Sequence, residues 1–543
     1  MNTAQREKID ALFGEWDRPD GPGCAVGVYR DGEAIHQAGY GMAHLEHGVP
    51  ITSSTVFHVA SLSKQFTATA VGLLARSGRI SLDDELKKYL PELRAADGVT
   101  FRHAIHHTSG LRDQWDLLRL GGWRPADLKT DADILHLAAR QRELNFPPGS
   151  RFQYINTGYT LMGIAVGRVT GASLREYADE HIFRPLGMRA TFFHDDHRMI
   201  IKDRAQAYSP DGGGELKINV PDYETVGPTG LLSTVEDFAR WERNFLSPAV
   251  GDQDFITQML TPGLYSEGRS SGYGFGLLRG NYRGLDTVEH AGGDAGFRAH
   301  FLRFPGERLA VAVFCNLSEM RPELLARRVA DVCLEGRFVD GDAGEERPAV
   351  TSRAAGTLAH SAGLLENKHG LYRDSLSGTT CRIELREDRL FLVAAGGGEY
   401  ELAPAGREHF RFLNVEEAEC VFEPAGAGQP ARMIVRYAGQ ETARCERAGD
   451  EELVQGWRPE EYAGRYHSDE LEVQYVVECA GETLSLRRPK FQPAVLRPVS
   501  EDEFSAEGEG IQLRFEREGG GRIAGLRVSA ERAWNVSFAR VEG

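Results

Sequence analysis

Up to about Phe338 the spacing of apolar residues switches repeatedly between helical and strand periods. Ile9, Leu12, Phe13 and Trp16 fall on one side of a helix predicted over residues 4–16. Cys24 to Tyr29 and Ala34 to Ala38 read as two strands joined by a hairpin turn at Asp31-Gly32. The apolar run Val56 to Ala60 leads into a helix whose one face carries Phe66, Ala70, Leu73 and Leu74, with Gly78 as its stop signal. Ser81-Leu82-Asp83-Asp84 looks like an N-cap with acids in the first turn, which predicts a helix to about Leu90, ahead of Pro91. Leu161 to Val169 predicts an apolar helix, and Gly227 to Thr234 leads into another through Asp237, Phe238 and Trp241. Ala299 to Phe304 and Leu309 to Cys315 read as strands joined at Pro305-Gly306.

Beyond Phe338 helical periodicity disappears. Residues 339–353 are rich in Gly, Asp, Glu and Pro and read as a linker. Short strands and turns follow, and they repeat: Gly370-Leu371-Tyr372-Arg373-Asp374 recurs 94 residues on as Gly464-Arg465-Tyr466-His467-Ser468. Leu390 and Leu392 match Leu484 and Leu486, and Phe422 matches Phe515. Two successive small antiparallel β-barrels are expected. The predicted division is 1–338, 339–450 and 451–543.

The net charge of −17 argues against nucleic acid as a partner. No stretch approaches the roughly 18 apolar residues of a membrane span. The N-terminus is charged and unlike a secretory signal, and seven scattered cysteines without a C-x-x-C suggest neither a disulfide framework nor a zinc site. A cytoplasmic protein is expected.

The chemistry starts at Ser61-Leu62-Ser63-Lys64. Ser61 at the start of a helix has Lys64 one turn later on the same face, and its own N–H lies among the unpaired donors of the first turn. By itself S-x-x-K should occur about once by chance in a chain this long. Tyr154 and Asn156 alternate onto one side of an extended segment, and His290-Ala291-Gly292-Gly293 ends a strand in glycines that let a backbone approach a ligand. His103 and His107 have the spacing of helical metal ligands, but Ala104 stands where a metalloprotease needs Glu, so no metal is expected.

Ser61-x-x-Lys64, Tyr154-x-Asn156 and His290-x-Gly292, in that order, resemble the serine β-lactamase and penicillin-recognising superfamily. Phe146-Pro147-Pro148-Gly149, Pro185-Leu186-Gly187-Met188, Gly230-Leu231-Leu232-Ser233-Thr234 and Tyr273-Gly274-Phe275-Gly276 carry the resemblance further. Gly110-Leu111-Arg112-Asp113, Trp115 and the start of the last barrel resemble its D-aminopeptidase branch. The resemblance implies an α+β fold, an antiparallel sheet flanked by helices, followed by the two barrels. It implies an acyl-enzyme on Ser61, with Lys64 or Tyr154 as base, Tyr154 as proton donor, Asn156 as substrate or Lys64 ligand, and the N–H groups of Ser61 and Gly293, beside Gly292, as oxyanion hole. His290 stands where many relatives carry Lys, which weakens the case for penicillin hydrolysis. The last-barrel loop with Arg487 and Arg488 is expected to reach the entrance and to favour anionic substrates. The expected partner is a small amide, ester or short peptide, first a D-amino-acid peptide or amide. No cofactor and no membrane are expected, and a homodimer is compatible with the sequence. An esterase, a β-lactamase-like hydrolase, an acyl transferase or a ligand-binding protein with a vestigial hydrolase fold stay open at this point.

Overall fold

A computed structural model describes residues 1–338, 365, 367–394, 398–413, 418–426, 430–437, 440–448, 458–519 and 521–541. The expected linker, 339–353, and the boundary at 450/451 lie outside them.

The first helix, α1 (Thr3–Leu12), is capped by Asn2, whose side chain accepts from the Gln5 N–H at 2.8 Å. It stops before Trp16. The hairpin β1 (Cys24–Arg30) and β2 (Glu33–Tyr40) turns at Asp31 and Gly32, both with positive φ, as a type I′ turn requires. Helices α2 (Ser63–Arg76), α3 (Gln114–Leu120), α4 (Thr157–Thr170) and α5 (Val235–Leu246) follow. Strands β3 (Leu278–Tyr282), β4 (Leu285–Asp294), β5 (Phe297–Phe304) and β6 (Leu309–Cys315) and helix α6 (Pro322–Cys333) complete this part. The six strands form one antiparallel sheet in the order β3-β4-β5-β6-β1-β2. Its first strand therefore pairs with its last, Cys24 opposite Cys315.

The two faces of the sheet follow from strand alternation. Val26, Val28, Val311 and Val313 pack with Ile9 of α1 and Val329 of α6. Tyr29, Phe301, Ala312 and Phe314 face the larger helical body, where Phe66, Phe238 and Trp241 meet. Phe238 and Phe314 touch edge to face, ring centroids 5.0 Å apart. Fully burying each such side chain contributes about 1.5–3 kcal/mol. The helix expected from Ser81 does not form. The Asp84 carboxylate caps the Ser81 N–H at 2.8 Å and Leu86 N–H bonds to Val99 O at 2.8 Å, which leaves only a short 3-10 turn, Leu86–Lys88. Leu82, Leu86 and Leu90 are buried all the same, so the apolar spacing marks a packed loop.

Two closed eight-stranded antiparallel barrels follow, from Gly370–Asp374 to Gln440–Arg447 and from Gly464–Ser468 to Val536–Val541. The repeat is visible in atomic detail. Tyr372 donates to Lys368 O at 3.0 Å, and Tyr466 donates to Tyr462 O at 2.7 Å. Arg447 and Arg540 occupy matching places beside Gly370 and Gly464. Leu117, Leu118 and Leu120 of α3 enter the core of the second barrel beside Tyr475 and Phe538. Arg112 and Glu470 cross the same junction at 2.7 Å, their side chains only 1% and 2% exposed. Arg151 joins all three parts, bonding Asp374 of the first barrel at 3.2 Å and lying over the Trp534 ring of the second.

Candidate active site

Ser61 lies in a 3-10 turn, Ala60–Leu62, that runs into α2. Ala60 holds φ +48°, a region L-residues seldom adopt. Strand β4 is pressed against this turn. A Cβ on Gly292 would stand 2.5 Å from Val59 O and 3.3 Å from Ser61 N, so only glycine permits the approach. β3 pairs with β4 only as far as Glu289, so residues 290–294 present a free edge towards Ser61. Exposed Ala291 and Gly293 alternate along it with buried His290 and Gly292.

Lys64 is fully buried. Its Nζ lies 3.1 Å from Ser61 Oγ, 3.0 Å from Asn156 Oδ1 and 2.9 Å from Pro228 O. Burial lowers its pKa to about 7, Asp113 opposing and Arg532 assisting. A neutral amine has two N–H donors and one lone pair. Pro228 O is an acceptor only. Asn156 must also turn its oxygen to Lys64, because its Nδ2 donates to Asp113 Oδ2 at 3.1 Å. In the neutral amine these two acceptors take the N–H groups, which leaves the lone pair to face Ser61 Oγ.

Tyr154 also approaches Ser61. Burial raises its pKa, with a hydrogen-bonding contact to Ser61 acting against this, so the phenol keeps its proton near neutrality. Its ring lies 4.4 Å from that of His107 and 4.7 Å from Lys64 Nζ. His107 holds φ +57°, and its Nδ1 accepts from Ile155 N–H at 3.3 Å, so a histidine spaced as a metal ligand instead supports the segment that carries Tyr154. His290 Nδ1 lies 2.6 Å from Ala291 O and Nε2 lies 2.8 Å from Tyr273 Oη. Only donation from Nδ1 suits a carbonyl, so Nε2 accepts from Tyr273. Burial, then Lys64, lowers the His290 pKa to about 3. The ring is neutral and adds no positive charge.

Of the residues read from the sequence, Ser61, Lys64, Tyr154, Asn156, His290, Gly292 and Gly293 come together. Arg487 and Arg488 do not. Arg487 pairs with Glu478 on the neighbouring strand, and Arg488 is buried against Glu509 and stacked on Phe491. Their loop rests on Gly122 and Trp123, and among the described residues neither arginine touches the Ser61 cluster. The barrels reach the site elsewhere. The second barrel's last hairpin brings Arg532, whose carbonyl accepts from Asp113 N–H at 2.9 Å and whose guanidinium lies 3.6 Å from Asp113 and 3.4 Å from Tyr154 O. Tyr437 of the first barrel is near enough to raise the pKa of Tyr154 and Tyr273. Nothing in the sequence pattern points to Arg532 or Tyr437; Asp113 sits in a stretch that carries the resemblance, without a role attached.

Asp196, His197 and Glu224 bring ligand atoms within 4.8 Å of one another. His197 and Glu224 are bonded to each other, the Asp196 carboxylate is held by Arg198, and the group lies partly exposed.

A family model described as Beta-lactamase matches residues 10–334. The D-aminopeptidase of Gluconobacter oxydans is 27% identical, over 96% of each chain. Penicillin-binding protein 4* of Bacillus subtilis is 26% identical, over 77% of this chain and 94% of that protein. Among solved structures, the octameric penicillin-binding protein homologue from Pyrococcus abyssi shares the fold at a TM-score of 0.57 and 24% identity, covering 82% of this chain and 100% of that one. The D-amino acid amidase from Ochrobactrum anthropi SV3 does so at 0.51 and 21% identity, covering 61% of this chain and 99% of that one.

Proposed function

The chain belongs to the Beta-lactamase family, and on that premise we propose that it is a serine hydrolase cleaving D-aminoacyl peptides and amides through an acyl-enzyme on Ser61. The carrying observation is Lys64 Nζ 3.1 Å from Ser61 Oγ with its two other neighbours both acceptors, so that the neutral amine turns its lone pair to Ser61. Neutral Lys64 takes the Ser61 proton as Oγ attacks the scissile carbonyl. The N–H groups of Ser61 and Gly293 hold the oxyanion, typically worth about 3 kcal/mol per donor. Collapse expels the amine, which takes the Tyr154 proton, and the proton on Lys64 restores Tyr154. Water then attacks the ester, and the same groups run in reverse. His290 fixes Tyr273 and leaves the site without the extra cation that a penicillin carboxylate would use.

The D-aminoacyl part rests on the D-aminopeptidase relative, whose likeness runs through both barrels. We assign three domains, 1–338, 339–450 and 451–543. We also propose a cytoplasmic location, in line with seven unbonded cysteines, and a homodimer, to be checked by light scattering. No helix among the described residues is long and apolar enough to cross a membrane.

A panel of D- and L-aminoacyl p-nitroanilides, simple esters and a penicillin tests the reading. A kcat/KM at least tenfold higher for D- than for L-aminoacyl compounds is expected. Equal rates for the enantiomers, or turnover of simple esters alone, would overturn it.

A further inference from the structure

The free edge of β4 ends in a carboxylate. Asp294 follows Gly293 directly and is half-buried. Its Oδ2 accepts from Thr229 Oγ1 at 2.8 Å and from the Tyr223 hydroxyl. Both donors are buried and neutral, and the third neighbour, His58, is kept neutral by burial, with a pKa of about 4. Asp294 makes no salt bridge among the described residues. Lys64, Lys129 and Arg298 sense its charge from a distance, but their own hydrogen bonds go to other groups. Oδ1 has no hydrogen-bond partner among the described residues. A negative charge is therefore held in place at the site with one oxygen open.

Position gives that oxygen a use. In an aminoacyl substrate the ammonium sits on the carbon next to the carbonyl under attack. A carbonyl oxygen placed between the N–H groups of Ser61 and Gly293 puts that carbon beside the end of β4. Asp113, the other carboxylate nearby, has a fully enclosed side chain committed to Asn156 and the Trp115 N–H. We propose that Asp294 is the subsite for the substrate's α-ammonium group, Oδ1 receiving it while Tyr223 and Thr229 hold Oδ2, so that the enzyme selects unacylated amino termini. This rests on the serine-hydrolase reading above and names the group that reading leaves open. It also reverses the substrate charge expected from Arg487 and Arg488.

The test compares D-alanine p-nitroanilide with N-acetyl-D-alanine p-nitroanilide, on wild type and Asp294→Asn. Asn keeps the shape and an oxygen for Tyr223 and Thr229 but removes the charge. Wild type should prefer the free amine, and the ratio of the two kcat/KM values should fall roughly ten- to a hundredfold in D294N, mainly through KM, as loss of a charged hydrogen bond entails. Asp294→Glu should restore part of the ratio. A binding readout on wild type stands apart from the folding of any variant: D-alaninol, an amine with no scissile bond, should inhibit at least tenfold more tightly than N-acetyl-D-alaninol. Equal inhibition, or equal losses on both anilides in D294N, would overturn the subsite while leaving the hydrolase reading intact. A wild type that turns over neither anilide would overturn both.

Discussion

Asp113 Oδ2 accepts from both the backbone N–H of Asn156, at 2.7 Å, and its side-chain amide, at 3.1 Å. One carboxylate oxygen thereby fixes which end of Asn156 meets Lys64, and so which way the Lys64 lone pair points. The same carboxylate caps α3 and faces Arg532 of the last barrel. A chain of contacts thus runs from Ser61 through Lys64, Asn156 and Asp113 to Arg532 of the second barrel.

The pH profile should carry the mark of Lys64. The amine is the base only when neutral, and its pKa is lowered to about 7. With an uncharged ester as substrate, kcat/KM should rise about tenfold per pH unit below 7 and level off above it. A profile flat from pH 5 to 9 would assign the base elsewhere.

Tyr154→Phe removes a proton donor and little else. Its kcat should fall by roughly 10²- to 10⁴-fold with KM nearly unchanged. The raised pKa of Tyr154 also predicts no falling limb in the wild-type profile below pH 10. A loss under about tenfold would leave the proton traffic to Lys64 alone.

Arg532 positions Asp113 and adds positive charge near Lys64. Arg532→Gln should lower kcat and move the Lys64 limb to higher pH, because the amine loses a repelling neighbour. Arg532→Lys should keep the limb in place. If R532Q leaves the limb where it was, the hairpin serves only to dock the barrel.

Local patterns carried much of this molecule. Short apolar runs bounded by turn residues marked the sheet strands, and the paired Tyr372 and Tyr466 marked the barrels because each barrel repeats the same tyrosine-to-carbonyl bond. The Ser61, Tyr154 and His290 stretches stand out because each is short and contiguous, and the structure brings the three together. Arg532 was not: it meets Tyr154 across 378 residues of sequence, and only the docking of the second barrel brings them together. Arg487 and Arg488 looked like substrate ligands because charge is visible in a sequence and its partners are not; Glu478 and Glu509 claim both. The helix expected from Ser81 had the right caps but too few residues free of long-range bonds. Asp294, the more consequential charge, followed the glycines unremarked.

The central claim is a covalent intermediate on Ser61. Wild type and Ser61→Ala should each be incubated with a fluorophosphonate and with a D-alanine p-nitrophenyl ester, quenched in acid and digested for peptide mass spectrometry. Wild type should carry a single adduct on the peptide containing Ser61, and S61A, with an unchanged circular dichroism spectrum, should carry none. An adduct that persists in S61A, or that maps to another serine in wild type, would contradict the account.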